Sequence, residues 1–212
     1  MKTVIFDLDG TLSDSSEGIF RSLNYALGKM HAPGIERSAV GRYIGPPLSA
    51  SFSELLQTRE QEVLEQAIAH FRDDYAAEGY KINALYDGIA EVIAQLSSEG
   101  YRLFIATTKK ADIACDVLRH FQLEDYFQAI YGGGTEIPKP ELIRQLFAEH
   151  GACPQQTVMV GDTHYDITAA RENQIFAIGV AWGFGAAYEL ATADVVAATP
   201  IDLPDSIARL LA

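Results

Sequence analysis

The stretch Val4-Ile5-Phe6-Asp7-Leu8-Asp9-Gly10-Thr11 decides how this chain is read. Consecutive apolar residues closed by an acidic, glycine-containing turn predict a short buried strand that ends in polar groups. The same form returns at Tyr101-Arg102-Leu103-Phe104-Ile105-Ala106, Ala129-Ile130-Tyr131, Thr157-Val158-Met159-Val160 and Ile175-Phe176-Ala177-Ile178-Gly179-Val180. Helices are expected between these runs, near 88–98, 110–121, 140–150 and 164–173, with Gly100, Gly151 and Asn173 as C-terminal stops. Strand and helix in alternation predict an α/β chain with a parallel sheet covered on both faces. Residues 15–86 break that rhythm. They hold no convincing strand but helix-like runs at 15–30 and 59–79, bracketed by Ser13-Asp14-Ser15-Ser16 and Tyr86-Asp87-Gly88. The expected organisation is a core of residues 1–14 and 87–212 with an all-helical insert over 15–86.

The 212 residues carry 16 Lys+Arg against 29 Asp+Glu, a formal charge of −13. At 48% apolar and 21% charged, the composition is that of a globular chain and excludes a disordered one. A pI near 4.7 argues against nucleic acid polymers and anionic membranes as partners, because either needs a basic face. The apolar run before Asp7 is too short for a secretory segment of roughly 7–15 residues. No stretch approaches the ~18 uncharged apolar residues of a membrane helix. Cys115 and Cys153, without CxxC spacing, are read as packing residues. A cytoplasmic protein, monomer or homodimer, is the expectation.

Ligand sites of open α/β sheets lie at the carboxyl ends of the strands. Those ends read Asp7-Leu8-Asp9-Gly10-Thr11, Thr107-Thr108-Lys109-Lys110 and Gly161-Asp162-Thr163-His164-Tyr165-Asp166, and Lys139 opens the helix near 140. Carboxylates brought so close repel one another and call for a cation. Oxygen ligands without Cys or His pairs point to Mg²⁺.

Asp7-Leu8-Asp9-Gly10-Thr11-Leu12, Thr107, Lys139 and Gly161-Asp162-x-x-x-Asp166 together resemble the haloacid dehalogenase superfamily, specifically its phosphatases, from residue 3 to about 182. The resemblance implies a Rossmann-like core, and the insert is similar to the family's helical cap. Ile44-Gly45-Pro46-Pro47-Leu48, Tyr86-Asp87-Gly88 and Trp182-Gly183-Phe184-Gly185 are similar to the phosphoglycolate phosphatase-like branch. It further implies Asp7 as the nucleophile forming an aspartyl-phosphate. Asp9 would be the acid and base, supplying roughly 10²–10⁴-fold. Asp7, the Asp9 carbonyl and Asp162 would hold Mg²⁺, Asp166 would orient a metal-bound water, and Thr107 and Lys139 would grip the phosphoryl oxygens. Thr108, Lys109, Arg42 and Gly45 are the remaining candidate substrate contacts, with Arg42 a clamp for a second anionic group.

Two departures from the branch stand out. Its Lys-Pro-x-Pro is replaced by Pro138-Lys139-Pro140-Glu141, so a gapless alignment would put Ile137 at the lysine position. Lys139 is preferred, because no apolar residue replaces a cation. Thr-Asn-Lys reads Thr107-Thr108-Lys109, which keeps the hydroxyl.

Blander readings exist for several residues. Asp162 as a helix N-cap and Asp166 as a first-turn acid are roles that can coexist with the metal, and Lys109 and Lys110 can be simply solvated lysines. His164 is read as an exposed helix-start residue, and Trp182 and Phe184 as lining the seam between core and insert. The favoured function is a Mg²⁺-dependent phosphatase of a small phosphorylated metabolite, phosphoglycolate first. A 5'-nucleotidase or pyrophosphatase follows, then a phosphomutase, then a non-enzymatic phospho-acceptor domain. A dehalogenase is disfavoured because it needs no acid at position 9.

Overall fold

The computed structural model describes residues 1–134 and 137–212. The chain enters through β1 (Thr3–Phe6), then β2 (Ser13–Asp14), α1 (Ser16–Lys29), α2 (Leu48–Leu55), α3 (Gln61–Ala77) and β3 (Ala84–Leu85). It continues through α4 (Ile89–Ser98), β4 (Arg102–Thr107), α5 (Ala111–His120), β5 (Phe127–Gly132), α6 (Lys139–His150) and β6 (Thr157–Gly161). The last elements are α7 (His164–Glu172), β7 (Phe176–Val180), β8 (Val195–Ala197) and α8 (Leu203–Leu210).

Six strands form one sheet in the order β5-β4-β1-β6-β7-β8, and every pairing is parallel. Parallel neighbours require crossovers, and helices supply them on both faces. Side-chain alternation divides the apolar residues between those faces. Val4, Phe6, Leu103, Ile105, Val158 and Val160 pack on one side with α4, α5 and α8. Ile5, Phe104, Ala106 and Met159 pack on the other with α6 and α7. This is the α/β architecture expected from the alternation of runs. α6 ends at Gly151, whose φ of +60° is a left-handed cap that a side chain would resist.

Register carries these strands to the site. Phe6 pairs with Ile105 on one side and Val160 on the other, so β1, β4 and β6 finish side by side. The Asp7 amide donates to the Val160 carbonyl at 2.9 Å, which continues the ladder into the turn.

Residues between β2 and β3 build a separate apolar cluster. Ile19, Leu23 and Leu27 of α1 meet Phe52 of α2 and Ile68, Phe71 and Tyr75 of α3. Four differences from the sequence reading appear. A two-residue antiparallel ladder, β2 with β3, ties the ends of this segment together, so residues 15–86 do contain strand. β8 and α8 extend the core beyond the expected elements, their short runs lying after a loop rich in Gly and Ala. α7 is capped by Thr163 and not by Asp162. Cys153 is exposed and fills no core space. Among the described residues no helix is long and apolar enough to cross a membrane.

Leu96, on the inner face of α4, is fully buried. Leu96→Ala is expected to cost about 2–5 kcal/mol, because a cavity remains where the side chain was. Val196→Ala, at a position 49% exposed, is expected to change stability by about 0.5 kcal/mol or less. Urea unfolding curves check both.

Candidate active site

Asp7 lies one residue past β1, buried, and its Oδ1 has no aligned hydrogen-bond donor among the described residues. Lys139 Nζ approaches that oxygen to 2.9 Å as an ion contact and donates to Asp166 Oδ1 at 2.5 Å. Lys139 reaches the site because it opens α6 after Pro138, which ends the extended approach and starts the helix. Ile137 packs instead against the apolar cluster beneath α6. The ammonium that meets Asp7 therefore belongs to Lys139.

Asp162 follows β6 and is almost wholly buried. Its Oδ2 accepts the Phe184 amide at 2.8 Å, and its Oδ1 lies 3.5 Å from the Thr11 hydroxyl. Gly10 makes this approach possible, since its φ is +81° and a Cβ there would collide with the Asp162 carboxylate. Asp166, in the first turn of α7, accepts from the Thr163 amide and hydroxyl through Oδ2 at 3.0 and 2.9 Å. Helix capping and the hold on Lys139 thus use different oxygens of one carboxylate.

Asp7, Asp162 and Asp166 each offer an oxygen within 4.8 Å of the others. Burial pushes Asp7 up to about 6 and Asp162 up to about 8; neighbouring carboxylates add to both, and Lys139 pulls both back. Burial alone would lower Lys139, but Asp166 and Asp7 outweigh it and keep the amine protonated. When all three carboxylates are ionised, one ammonium leaves two negative charges to balance, and the raised Asp7 and Asp162 show what that ionisation costs without a further cation. A divalent cation with oxygen ligands matches that charge and the all-carboxylate donor set.

Asp9 stands apart from this cluster. Its Oδ2 pairs with Lys109 Nζ at 3.0 Å, while its Oδ1 is buried without a partner among the described residues. Thr107, at the end of β4, is buried and its hydroxyl accepts the Lys109 amide at 3.2 Å. Thr108 lies within 3.5 Å of the Gly45 carbonyl, a contact between core and insert. Asp9, Gly45, Thr108 and Lys109 line one cavity.

Arg42, expected as a clamp for a second anionic group, pairs instead with Glu54 at 2.9 Å on the exposed side of the helical segment and does not line the cavity in this structure. His164 contacts Glu189 at 2.5 Å at the surface, away from the carboxylates. Phe184 packs against the helical cluster and Trp182 donates to the Thr11 carbonyl at 3.0 Å. Residues not singled out from sequence complete the cavity, among them Tyr43, Phe71, Arg72 and Tyr75. The spacing of Ile68, Phe71, Arg72 and Tyr75 puts them on one face of α3, a signal that helical periodicity carries.

Comparison with known proteins finds relatives similar in sequence and in fold. A 5'-nucleotidase from Pseudomonas aeruginosa is 37% identical over 190 residues, 88% of this chain and 86% of its own. The tyrosine-protein kinase PtkA of Mycobacterium tuberculosis is 37% identical over 187 residues, 87% of this chain but 63% of its own length. A phosphoglycolate phosphatase from Vibrio vulnificus is 29% identical across 100% of this chain and 95% of its own. A haloacid dehalogenase-like hydrolase from Streptococcus pneumoniae superposes with a TM-score of 0.90 at 32% identity, covering 97% of this chain and 98% of that one. Residues 4–180 match the haloacid dehalogenase-like hydrolase family as a whole. The parallel sheet, the carboxylates at the carboxyl ends of its central strands and this match agree: the chain belongs to the haloacid dehalogenase-like hydrolases.

Proposed function

We propose that this hydrolase is a Mg²⁺-dependent phosphatase that cleaves a small phosphate monoester through an aspartyl-phosphate on Asp7. The observation that carries the reading is the buried Asp7 carboxylate, its Oδ1 2.9 Å from Lys139 Nζ, within a cluster of three carboxylates. Asp7, Asp162 and the Asp9 carbonyl would hold Mg²⁺, with Asp166 orienting a water on it; the cation would offset the charge of the carboxylates and of the phosphoryl group. Residues 15–86 act as a cap over a core of 1–14 and 87–212, shielding the reaction from water.

The chain's residues divide the chemistry. The Asp7 carboxylate attacks phosphorus, and the bond to the ester oxygen breaks as Asp9 gives that oxygen a proton. Thr107 and Lys139 hold the phosphoryl oxygens, meeting developing charge with fixed donors. Water then attacks the acyl phosphate, Asp9 recovers a proton from it, and phosphate leaves with Asp7 regenerated. The substrate is a phosphorylated metabolite met in the cytoplasm.

Phosphoglycolate is one candidate, supported by the branch motifs and the Vibrio relative. A nucleoside 5'-monophosphate is the second. It is favoured by the apolar and aromatic cavity wall of Tyr43, Pro46, Phe71 and Tyr75, which suits a leaving group larger and less polar than glycolate. The Pseudomonas relative supports it too.

Hydrolysis of p-nitrophenyl phosphate is expected with Mg²⁺ and not with excess EDTA. Asp7→Asn should lower kcat by about 10⁴-fold or more, because the nucleophile is lost. Activity surviving in that variant would overturn the mechanism.

A second expectation concerns binding without turnover. At pH 7.5, millimolar Mg²⁺ should raise the melting temperature of the wild-type protein by several degrees, as about 2–3 kcal/mol of linkage requires. At pH 5 the shift should shrink, because Asp7 then joins Asp162 in holding a proton that the cation must displace. Asp162→Asn should abolish most of it at either pH. Differential scanning fluorimetry gives both results.

A further inference from the structure

Tyr75 sits in the helical segment, on α3, yet its ring meets a residue of the core. Lys109 Nζ lies 4.1 Å from the Tyr75 ring centroid and 3.0 Å from Asp9 Oδ2. The lysine side chain is 9% exposed and Tyr75 is 2% exposed, so both contacts are shielded from water. A desolvated cation over an aromatic face gains more than an exposed one. Tyr75 is itself fixed: its ring stacks on Phe71 at 5.6 Å, and its hydroxyl accepts from Asn83 Nδ2 at 3.0 Å just before the chain returns to the core. Asp9 therefore has one oxygen anchored and one, Oδ1, buried without a partner beside the cavity.

We propose that Tyr75 is a positioning residue that acts on Asp9 through Lys109. Its ring holds the ammonium where it anchors Oδ2, and Oδ1 is left as the oxygen that exchanges the proton. The contact exists only while α3 lies against the core, so the acid is aligned when the cap is closed over substrate. Displacing the cap would return Lys109 to water and release the Asp9 carboxyl to rotate. The inference rests on the assignment of Asp9 as acid and base above.

The test compares two esters of nearly the same shape. p-Nitrophenolate is a stabilised anion that leaves without a proton, whereas the more basic phenolate needs one, so only phenyl phosphate depends strongly on the acid. In Tyr75→Leu the ratio of kcat for phenyl phosphate to kcat for p-nitrophenyl phosphate is expected to fall about tenfold, part of the 10²–10⁴ that acid–base assistance supplies. Tyr75→Phe, which keeps the ring, should hold the ratio within about twofold of wild type, restoring what the leucine loses. Lys109→Met should lower the ratio like Tyr75→Leu, and the double variant should lower it no further, as expected for residues acting through one contact. Lys109→Met carries the test if Tyr75→Leu does not fold.

An equal fall for both esters, or an additive double variant, would overturn the role of Tyr75 while leaving the phosphatase reading intact. Failure of the wild-type protein to hydrolyse either ester would instead remove the reading on which it rests.

Discussion

Three carboxylates buried around a single ammonium form the constraint on which the rest of this structure depends. Such a cluster is costly, since each charge leaves water and like charges then face one another. Lys139 relieves part of the cost by bridging Asp7 and Asp166. The strands and helix starts that deliver these groups must therefore meet within a few ångströms. β1 and β6 do so by pairing in register, and α6 and α7 do so by beginning at Pro138 and Thr163. The residual charge makes the site a cation receptor before any substrate arrives.

The same constraint explains local choices that propensity alone does not. Position 10 must be glycine twice over: its φ is +81°, and the Asp162 carboxylate occupies the space a side chain would need. The Phe184 amide turns inward to Asp162, which draws the loop after β7 over the sheet edge and places the Phe184 ring against the helical segment. The sheet-bearing part and the helical segment meet at the Phe184 loop, at Thr108 beside Gly45 and at the Asp9–Lys109–Tyr75 contact, among other places. Global charge plays a smaller part. The formal −13 is screened over about 8 Å at physiological salt, so local cations at the site decide phosphate capture.

Much of the sheet was legible in the sequence because its strands are buried on both faces and read as short apolar runs closed by polar turns. β8 escaped that reading: its three residues alternate in burial and carry too few apolar contacts to stand out. β3 escaped because a two-residue ladder has no periodicity to detect. Asp7, Asp9, Asp162 and Lys139 were accessible through their placement at strand ends and helix starts. The partners of Asp9 and the fate of Arg42 were not. Lys109 could be read as solvated until Tyr75, distant in sequence, was seen to cover it. Arg42 looked available until Glu54 was seen to engage it. Pairings between remote segments depend on tertiary packing, and a pattern of residue types does not encode them locally.

The account's central claim is that Asp7 carries the phosphoryl group. Borohydride reduces an acyl phosphate to an alcohol, so quenching turnover with it converts a phosphorylated aspartate to homoserine, which peptide mass spectrometry locates. The account predicts homoserine at position 7, only when substrate and Mg²⁺ are both present. Its appearance at another aspartate, or its absence during steady turnover in an enzyme whose dephosphorylation is slow enough to trap, would contradict it.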